Sequence, residues 1–365
     1  MPAVRAANVR GPLYRSGVPE NRLTVHPQPT AVGALSEAEL LARIFPRLSM
    51  PGSHSRATLL GPGDDAAVVA APDGKTVVSI DTQVQDQDFR LEWPNGYRTT
   101  GFDVGWKAAA QNLSDINAMG ATATSLVVSL TLPPETPASW VEDLADGLTA
   151  AIRELGATEC SVAGGDLGRG REISVTAAVL GTLHGGRAVL RSGAQPGDVL
   201  ALAGTAGHAA AGLALLESSV NVEALGERER VFLDLQCRPR PPLHAGPAAR
   251  AAGATAMLDV SDGLLRDGLR MATASSTALD LDPAQLRVLG EVLRPAAELL
   301  GTDATGWVLN GGEDHGLLAT FPADVQLPPG FAAIGSVQAL GSNESPSVTI
   351  AGRHADAGGW DHFAH

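Results

Sequence analysis

The chain is nearly without lysine: Lys75 and Lys107 are the only two among 26 basic residues in a length of 365. A G-x-x-x-x-G-K-[ST] loop is therefore absent, which removes the usual P-loop cradle for nucleotide phosphates. Cysteine is as scarce. Cys160 and Cys237 alone supply neither a disulfide framework nor a thiolate metal site. No apolar run approaches the roughly 20 residues of a membrane helix, and the stretches 125–132 and 173–181 are of strand length. No G-x-S-x-G elbow and no H-E-x-x-H pair occurs, and the nine histidines are scattered. A net charge of -14 argues against a nucleic-acid or anionic-membrane surface. These absences predict a cytoplasmic protein with no nucleic-acid or membrane partner. They also predict that any phosphate it handles reaches it through metal ions.

What is present is acid set among glycines and small polar residues. Gly63-Asp64-Asp65-Ala66, Ser79-Ile80-Asp81-Thr82, Gly164-Gly165-Asp166 and Asp259-Val260-Ser261-Asp262-Gly263 share this character, and Asn112-Leu113-Ser114-Asp115 adds a fifth stretch inside a helical pattern. Adjacent carboxylates repel at neutral pH unless divalent cations share them, so the set predicts a site for several Mg²⁺ ions. Mg²⁺ typically combines one or two carboxylates with phosphate oxygens and water, which makes polyphosphates the expected substrates.

Residues 1–33 are rich in Arg and Pro, lack an apolar core for a signal peptide, and read as a disordered extension or a generous start codon. Ser36-Glu37-Ala38-Glu39 has capping-box spacing and opens a first helix. Strands are predicted at 76–80, 125–132 and 173–181, with helices over 103–119 and 137–155 between them. The run Arg191-Ser192-Gly193-Ala194-Gln195-Pro196-Gly197-Asp198 is dense in turn formers and precedes a strand at 199–203. It marks the boundary between an N-terminal domain, 34–186, and a C-terminal domain, 187–365. A strand at 256–260 and a helix from about Asp262 follow. The fold class predicted is α/β (α+β), with two α/β domains.

Each motif alone has a plain reading. Asp262 suits a helix N-cap, Gly-Asp-Asp a turn, and the glycines of Gly-Gly-Asp a positive φ. Asp115 reads either as a surface aspartate or as a carboxylate on a small apolar face, where burial is costly unless it is paired or metal-bound. Gly204-Thr205-Ala206-Gly207 before an Ala-rich helix suits either an anion at the helix N-terminus or close helix packing.

The ordered set GPGDDAAVV, SIDT, KAAAQNLSDINAMGA, GGD, RSGAQPGD, DVSDGLLRD, GGED and GWDHF resembles thiamine-monophosphate kinase, from about residue 34 to the C-terminus. That family shares an ATP-binding superfamily with aminoimidazole ribonucleotide synthetase, whose N-terminal ATP/Mg-binding domains pair across a homodimer. The resemblance implies ATP and thiamine monophosphate as substrates and Mg²⁺ as cofactor. It further implies metal contacts at Asp65, Ser79, Ile80, Asp81, Asp115, Asp166, Asp259 and Asp262, and nucleotide contacts at Gly165, Asp166 and Arg191, with Ser261 near the phosphates. Contacts to the thiamine moiety fall on Glu313 and Trp360, with Asp88 at a position that touches substrate. No catalytic side chain is implied, Arg191 supporting a transfer driven by metal and charge.

Three places depart from the family pattern. Asp88-Phe89 stands where His-Phe is usual, Leu167-Gly168-Arg169-Gly170 where two threonines are common, and His315-Gly316 where Tyr-Glu is usual. The alternatives are another ATP-using enzyme of the superfamily, acting on a different small phosphate or carboxamide, and a binder without turnover.

Overall fold

The computed structural model describes residues 30–48, 57–60, 66–356 and 358–359. Asp65, Trp360 and the stretch 1–29 lie outside them. The capping box forms as its spacing predicts: Ser36 N–H and Oγ both donate to Glu39 Oε2 at 2.8 Å, starting α1 (Glu37–Leu48). A short antiparallel pair follows, β1 (Thr58–Leu60) with β2 (Val68–Val69).

The chain then runs through β3 (Val77–Val84), α2 (Gly101–Ala118), β4 (Thr122–Leu132), α3 (Ala138–Glu154), β5 (Ser161–Arg169) and β6 (Ser174–Thr182). The four strands form one sheet in the order β3-β6-β4-β5, in which only β4 and β5 are parallel. Gly164-Gly165-Asp166 lies inside β5 rather than in a turn, and neither glycine has a positive φ. What requires glycine there is proximity, since a Cβ on Gly165 would stand 2.2 Å from the Val128 carbonyl oxygen of the paired strand.

A second sheet is built from β7 (Val199–Ala203), β8 (Ala256–Val260), β9 (Ala278–Leu281), β10 (Gly316–Phe321), β11 (Phe331–Gln338), β12 (Ser347–Ile350) and β13 (Arg353–His354). Its order is β13-β12-β9-β11-β7-β10-β8, which leaves β8 at an edge. The helices of this half are α4 (His208–Glu217), α5 (Glu227–Cys237), α6 (Ala245–Ala251), α7 (Leu264–Ser275), α8 (Pro283–Leu300) and α9 (Thr305–Asn310). Separate cores fill the two halves, one around Trp106, Leu126 and Ile152, the other around Leu200, Leu215 and Leu264.

Helix α2 belongs to both halves. Of its 18 residues 15 are buried, so almost no face of it meets solvent. On one side it presses against α3 through glycine: a Cβ on Gly105 would fall 2.0 Å from Leu144 O, and one on Gly147 would fall 2.1 Å from Phe102 O. On the other side Trp106 Nε1 donates to Pro239 O at 2.8 Å, and Asn117 Oδ1 accepts Gly246 N–H at 2.7 Å. These bonds hold the C-terminal half against the helix that carries Asp115.

Candidate active site

Strand β3 and helix α2 face each other along two matched polar rows. Alternation puts Ser79, Asp81 and Gln83 on the α2 side of the strand, and helical spacing puts Asp115, Gln111 and Lys107 on one stripe of α2. Ser79 Oγ donates to Asp115 Oδ2 at 2.5 Å, and Gln83 Nε2 donates to Gln111 Oε1 at 2.8 Å. Asp81 lies within hydrogen-bond reach of Asp115. Burial, and then the charge of Asp259, push Asp115 up to about 7. Asp81 is raised as well, first by burial. The surface reading of Asp115 does not fit this setting, because the carboxylate is half-buried between two acids; the reading as a costly buried carboxylate does.

The opposite wall comes from the second sheet. At the edge strand β8, Asp259 Oδ2 accepts from Ser114 Oγ at 3.1 Å and lies 3.2 Å from His315 Nδ1. Burial opposes a charged imidazole at His315, but the hydrogen bond and charge of Asp259 outweigh it and raise its pKa. The Gly311-Gly312-Glu313-Asp314 turn is locked onto β8: Glu313 N–H donates to Ser261 O at 2.8 Å and His315 N–H donates to Val260 O at 3.1 Å. Gly312 has no room for a side chain, its Cβ position being 2.4 Å from Ser261 O. Glu313 and His315 take positive φ values of 65° and 52°, a strained backbone that turns both side chains to this wall.

Glu313 is tied at both oxygens. Lys107 Nζ lies 2.7 Å from Oε1 and Gln236 Nε2 donates to Oε2 at 2.5 Å. Burial works against its ionised form, yet Lys107 prevails and holds the carboxyl below the usual glutamate range. Lys107 also donates to the Asp88 carbonyl at 3.2 Å. Asp88 Oδ2 in turn accepts the Val84 N–H at 2.7 Å and closes the turn after β3.

Asp262 is not a helix cap. Gly263 occupies the N-cap of α7, and the Asp262 carboxylate lies 2.6 Å from Arg270 Nη2 instead. Behind it the buried Asp267 accepts the Asp262 N–H at 2.8 Å and contacts Arg270 Nη1 at 2.6 Å. At Gly204-Thr205-Ala206-Gly207 both readings hold. A Cβ on Gly207 would be 2.7 Å from the Trp307 backbone, and the anion at the α4 N-terminus is the protein's own Asp314, bonded to Thr205 Oγ1 at 2.7 Å and Gly207 N–H at 2.8 Å.

Asp81, Asp88, Gln111, Asp115, Asp259, Ser261, Asp262, Glu313 and His315 line one cleft of about 480 Å³. Ser79 stands behind Asp115. The other expected residues go elsewhere. Ile80 is 64% exposed on the reverse face of the same sheet. Asp166 is on that reverse face too, in a cross-strand row with Ser129, Thr176 and Thr82. Gly165, Asp166 and Ile80 line a separate hollow of about 750 Å³ between α1 and the sheet. Arg191 is exposed on the connection before β7 and does not line the cleft. Among the described residues no three of His, Cys, Asp or Glu converge to hold a metal ion by themselves.

Lys107, Gln111, Gln236, Asp267 and Arg270 escaped the sequence reading. For the first two a signal existed: 107, 111 and 115 repeat every four residues, the period of a helix face. The others join the site through tertiary contacts that no local spacing encodes.

Residues 63–183 match the AIR synthase related protein, N-terminal domain, family. Over 294 residues the chain is 46% identical to a thiamine-monophosphate kinase of Mycobacterium tuberculosis, covering 80% of this chain and 84% of the relative. It belongs to the thiamine-monophosphate kinase family. Among solved structures, the thiamine-monophosphate kinase of Stenotrophomonas maltophilia aligns with a TM-score of 0.70 at 32% identity, over 88% of this chain and 98% of that one. AaThiL, solved in complex with AMPPCP and TMP, aligns with the same TM-score of 0.70 at 27% identity, over 90% of this chain and 97% of that one. The fold of a thiamine-monophosphate kinase thus extends through both sheets, well beyond the matched N-terminal domain.

Proposed function

We propose that this protein transfers the terminal phosphoryl group of ATP to thiamine monophosphate, giving ADP and thiamine diphosphate, in a site served by several Mg²⁺ ions. The observation that carries the reading is the 46% identity to a relative of that name over 80% of the chain. The cleft supports it. Its donors at one end are oxygens, Asp81 and Asp115 with Ser79 beside them, and the raised pKa of Asp115 marks a carboxylate in want of a cation. Two carboxylates without a third fit Mg²⁺ that completes its shell with phosphate and water. Asp81 and Asp115 would hold Mg²⁺ there, with Asp259 facing them from the opposite wall and Asp262 nearer the nucleotide. Once bound, Mg²⁺ screens the two anions and stabilises charge on the transferring group.

The chain's own residues have little chemistry to do. The acceptor is a phosphate monoester with a second pKa of about 6, already ionised at neutral pH. It needs no general base, and none of the cleft residues is required to move a proton. Position is what they supply. The Lys107–Glu313–Gln236 network fixes an acceptor carboxylate at the far end of the cleft, in reach of the organic part of the substrate. Asp88, which replaces the usual histidine, closes the 84–88 turn with its carboxylate.

The reverse face supports a homodimer. Val78 and Ile80 are 68% and 64% exposed there, an apolar surface that a second copy would cover, bringing Gly165, Asp166 and Arg191 toward a nucleotide near the interface. Asp65 and Trp360 take the metal and thiamine roles that the resemblance implies. A domain division at 186/187 is in keeping with two sheets that each pack a core of their own. A cytoplasmic location accords with buried, unpaired Cys160 and Cys237.

The test is formation of ADP and thiamine diphosphate from ATP and thiamine monophosphate, with and without Mg²⁺, and with thiamine as control acceptor. Mg²⁺-dependent turnover of the monophosphate alone is expected. Silence despite Mg²⁺-ATP binding would mean the cleft serves another phosphate.

A further inference from the structure

Gln83 and Gln111 have no part in the transfer just described, and their setting is costly. Gln83 is 1% exposed between β3 and α2, where an aliphatic side chain would pack without polar atoms. Its Nε2 is spent on Gln111 Oε1 at 2.8 Å, while its own Oε1 is closed off from solvent with no hydrogen-bond partner. A buried acceptor left unmade destabilises a fold, and such violations collect where function demands them. The pair adjoins the acidic layer directly. Gln83 follows Asp81 by two residues on the same strand face, and Gln111 precedes Asp115 by one helical turn, about 6 Å. Gln111 lines the cleft between Asp115 and Glu313.

We propose that Gln111, oriented by Gln83, is a specificity-determining residue for the acceptor: its amide N–H donates to a hydrogen-bond acceptor on the heterocyclic part of a phosphate monoester. The inference rests on the reading of the cleft as the acceptor site. With its oxygen engaged by Gln83 Nε2, the Gln111 amide cannot flip on its own without losing that bond, so in this arrangement its nitrogen is the group left for a ligand. The orphaned Gln83 oxygen is what this fixed orientation costs. Gln111 lies midway along the cleft. A phosphate held near Asp81 and Asp115 therefore places the attached organic group over Gln111, with its remainder reaching Glu313. A phosphate monoester without a ring acceptor would miss this bond.

The test uses the full chain and three proteins: wild type, Gln111→Leu and Gln83→Leu. ADP release is followed with thiamine monophosphate and, separately, a simple alkyl phosphate. Gln111→Leu is expected to raise KM for thiamine monophosphate about tenfold, with kcat and the KM for ATP nearly unchanged. Gln83→Leu should raise the same KM by a smaller factor, since the Gln111 amide survives but loses its orientation, and should melt at or above the wild-type temperature. Should Gln111→Leu not fold, Gln83→Leu carries the comparison alone. A pair that is merely structural would lower the melting temperature and leave KM untouched, which overturns the proposal. Equal increases in KM for ATP and for thiamine monophosphate overturn it as well. Wild type silent with thiamine monophosphate would sink the reading of the cleft itself; wild type active with KM unmoved in both variants would sink only the role of Gln111.

Discussion

The two faces of β3 do different work with alternate residues of one short motif. Ser79, Asp81 and Gln83 look toward α2 and the cleft, whereas Val78, Ile80 and Thr82 lie on an exposed face shared with Asp166. The inward face is polar, half-buried and electrostatically strained; the outward one is open and sets the exposed Val78 and Ile80 beside a polar row. Strand alternation alone separates them, so a motif that looks like one cluster along the chain becomes two surfaces. On our account the metal site belongs to the first surface and assembly to the second.

The sharpest way to break this division is Asp115→Asn. It removes a charge the cleft needs, and we expect kcat to fall at least a hundredfold, with the circular dichroism spectrum of the fold retained. Loss of the fold instead would make Asp115 a structural residue. On the outward face, Ile80→Asp should move the protein from dimer to monomer in sedimentation while the isolated chain stays folded. A variant that sediments as wild type would leave that face without its assigned role.

A prediction of intermediate size concerns Lys107. It is 4% exposed and paired with Glu313, so Lys107→Met should destabilise by about 3 kcal/mol in urea titration and raise KM for thiamine monophosphate. No change in either would show the pair to be incidental.

Acidity gives a fourth test, specific to the inward face. The native carboxyls of Asp81 and Asp115 bind protons more tightly than unfolded ones, Asp115 with a pKa of about 7. Between the unfolded value and 7 the native state therefore holds more protons, and this contribution to stability is lost as pH rises through that window. The metal-free protein should melt lower at about pH 8 than at about pH 5.5, and Asp115→Asn should shrink the difference. An unaltered pH dependence in that variant would contradict the assignment. Smallest of all, Thr205→Val removes one bond to the buried Asp314 and should cost about 1.5 kcal/mol without touching either KM.

Much of this was legible in the sequence because the signals were local. The strand 256–260 and the first-helix capping box appear where alternation and spacing put them. Asp81, Asp115, Asp259, Asp262 and Glu313 were singled out by their motifs and meet in one cleft. What local pattern could not supply was side. Asp166 and Asp81 carry the same kind of signal, and only sheet register puts them on opposite faces. The glycines of Gly-Gly-Asp suit a positive φ, but neither adopts one, and close approach to Val128 is what requires glycine at 165. Asp262 read as a cap because Asp often is one, and Arg270, eight residues on, draws its carboxylate away.

The account stands on the inward face of β3 and the facing stripe of α2 holding the divalent ion. Binding of Mn²⁺ in place of Mg²⁺, followed by electron paramagnetic resonance with wild type and Asp115→Asn, each with and without ATP, tests that most directly. The account predicts weak binding by wild type alone, tightening with ATP, and loss of both in the variant. Equal Mn²⁺ binding by the two proteins would contradict it and move the metal site to the other face of the sheet.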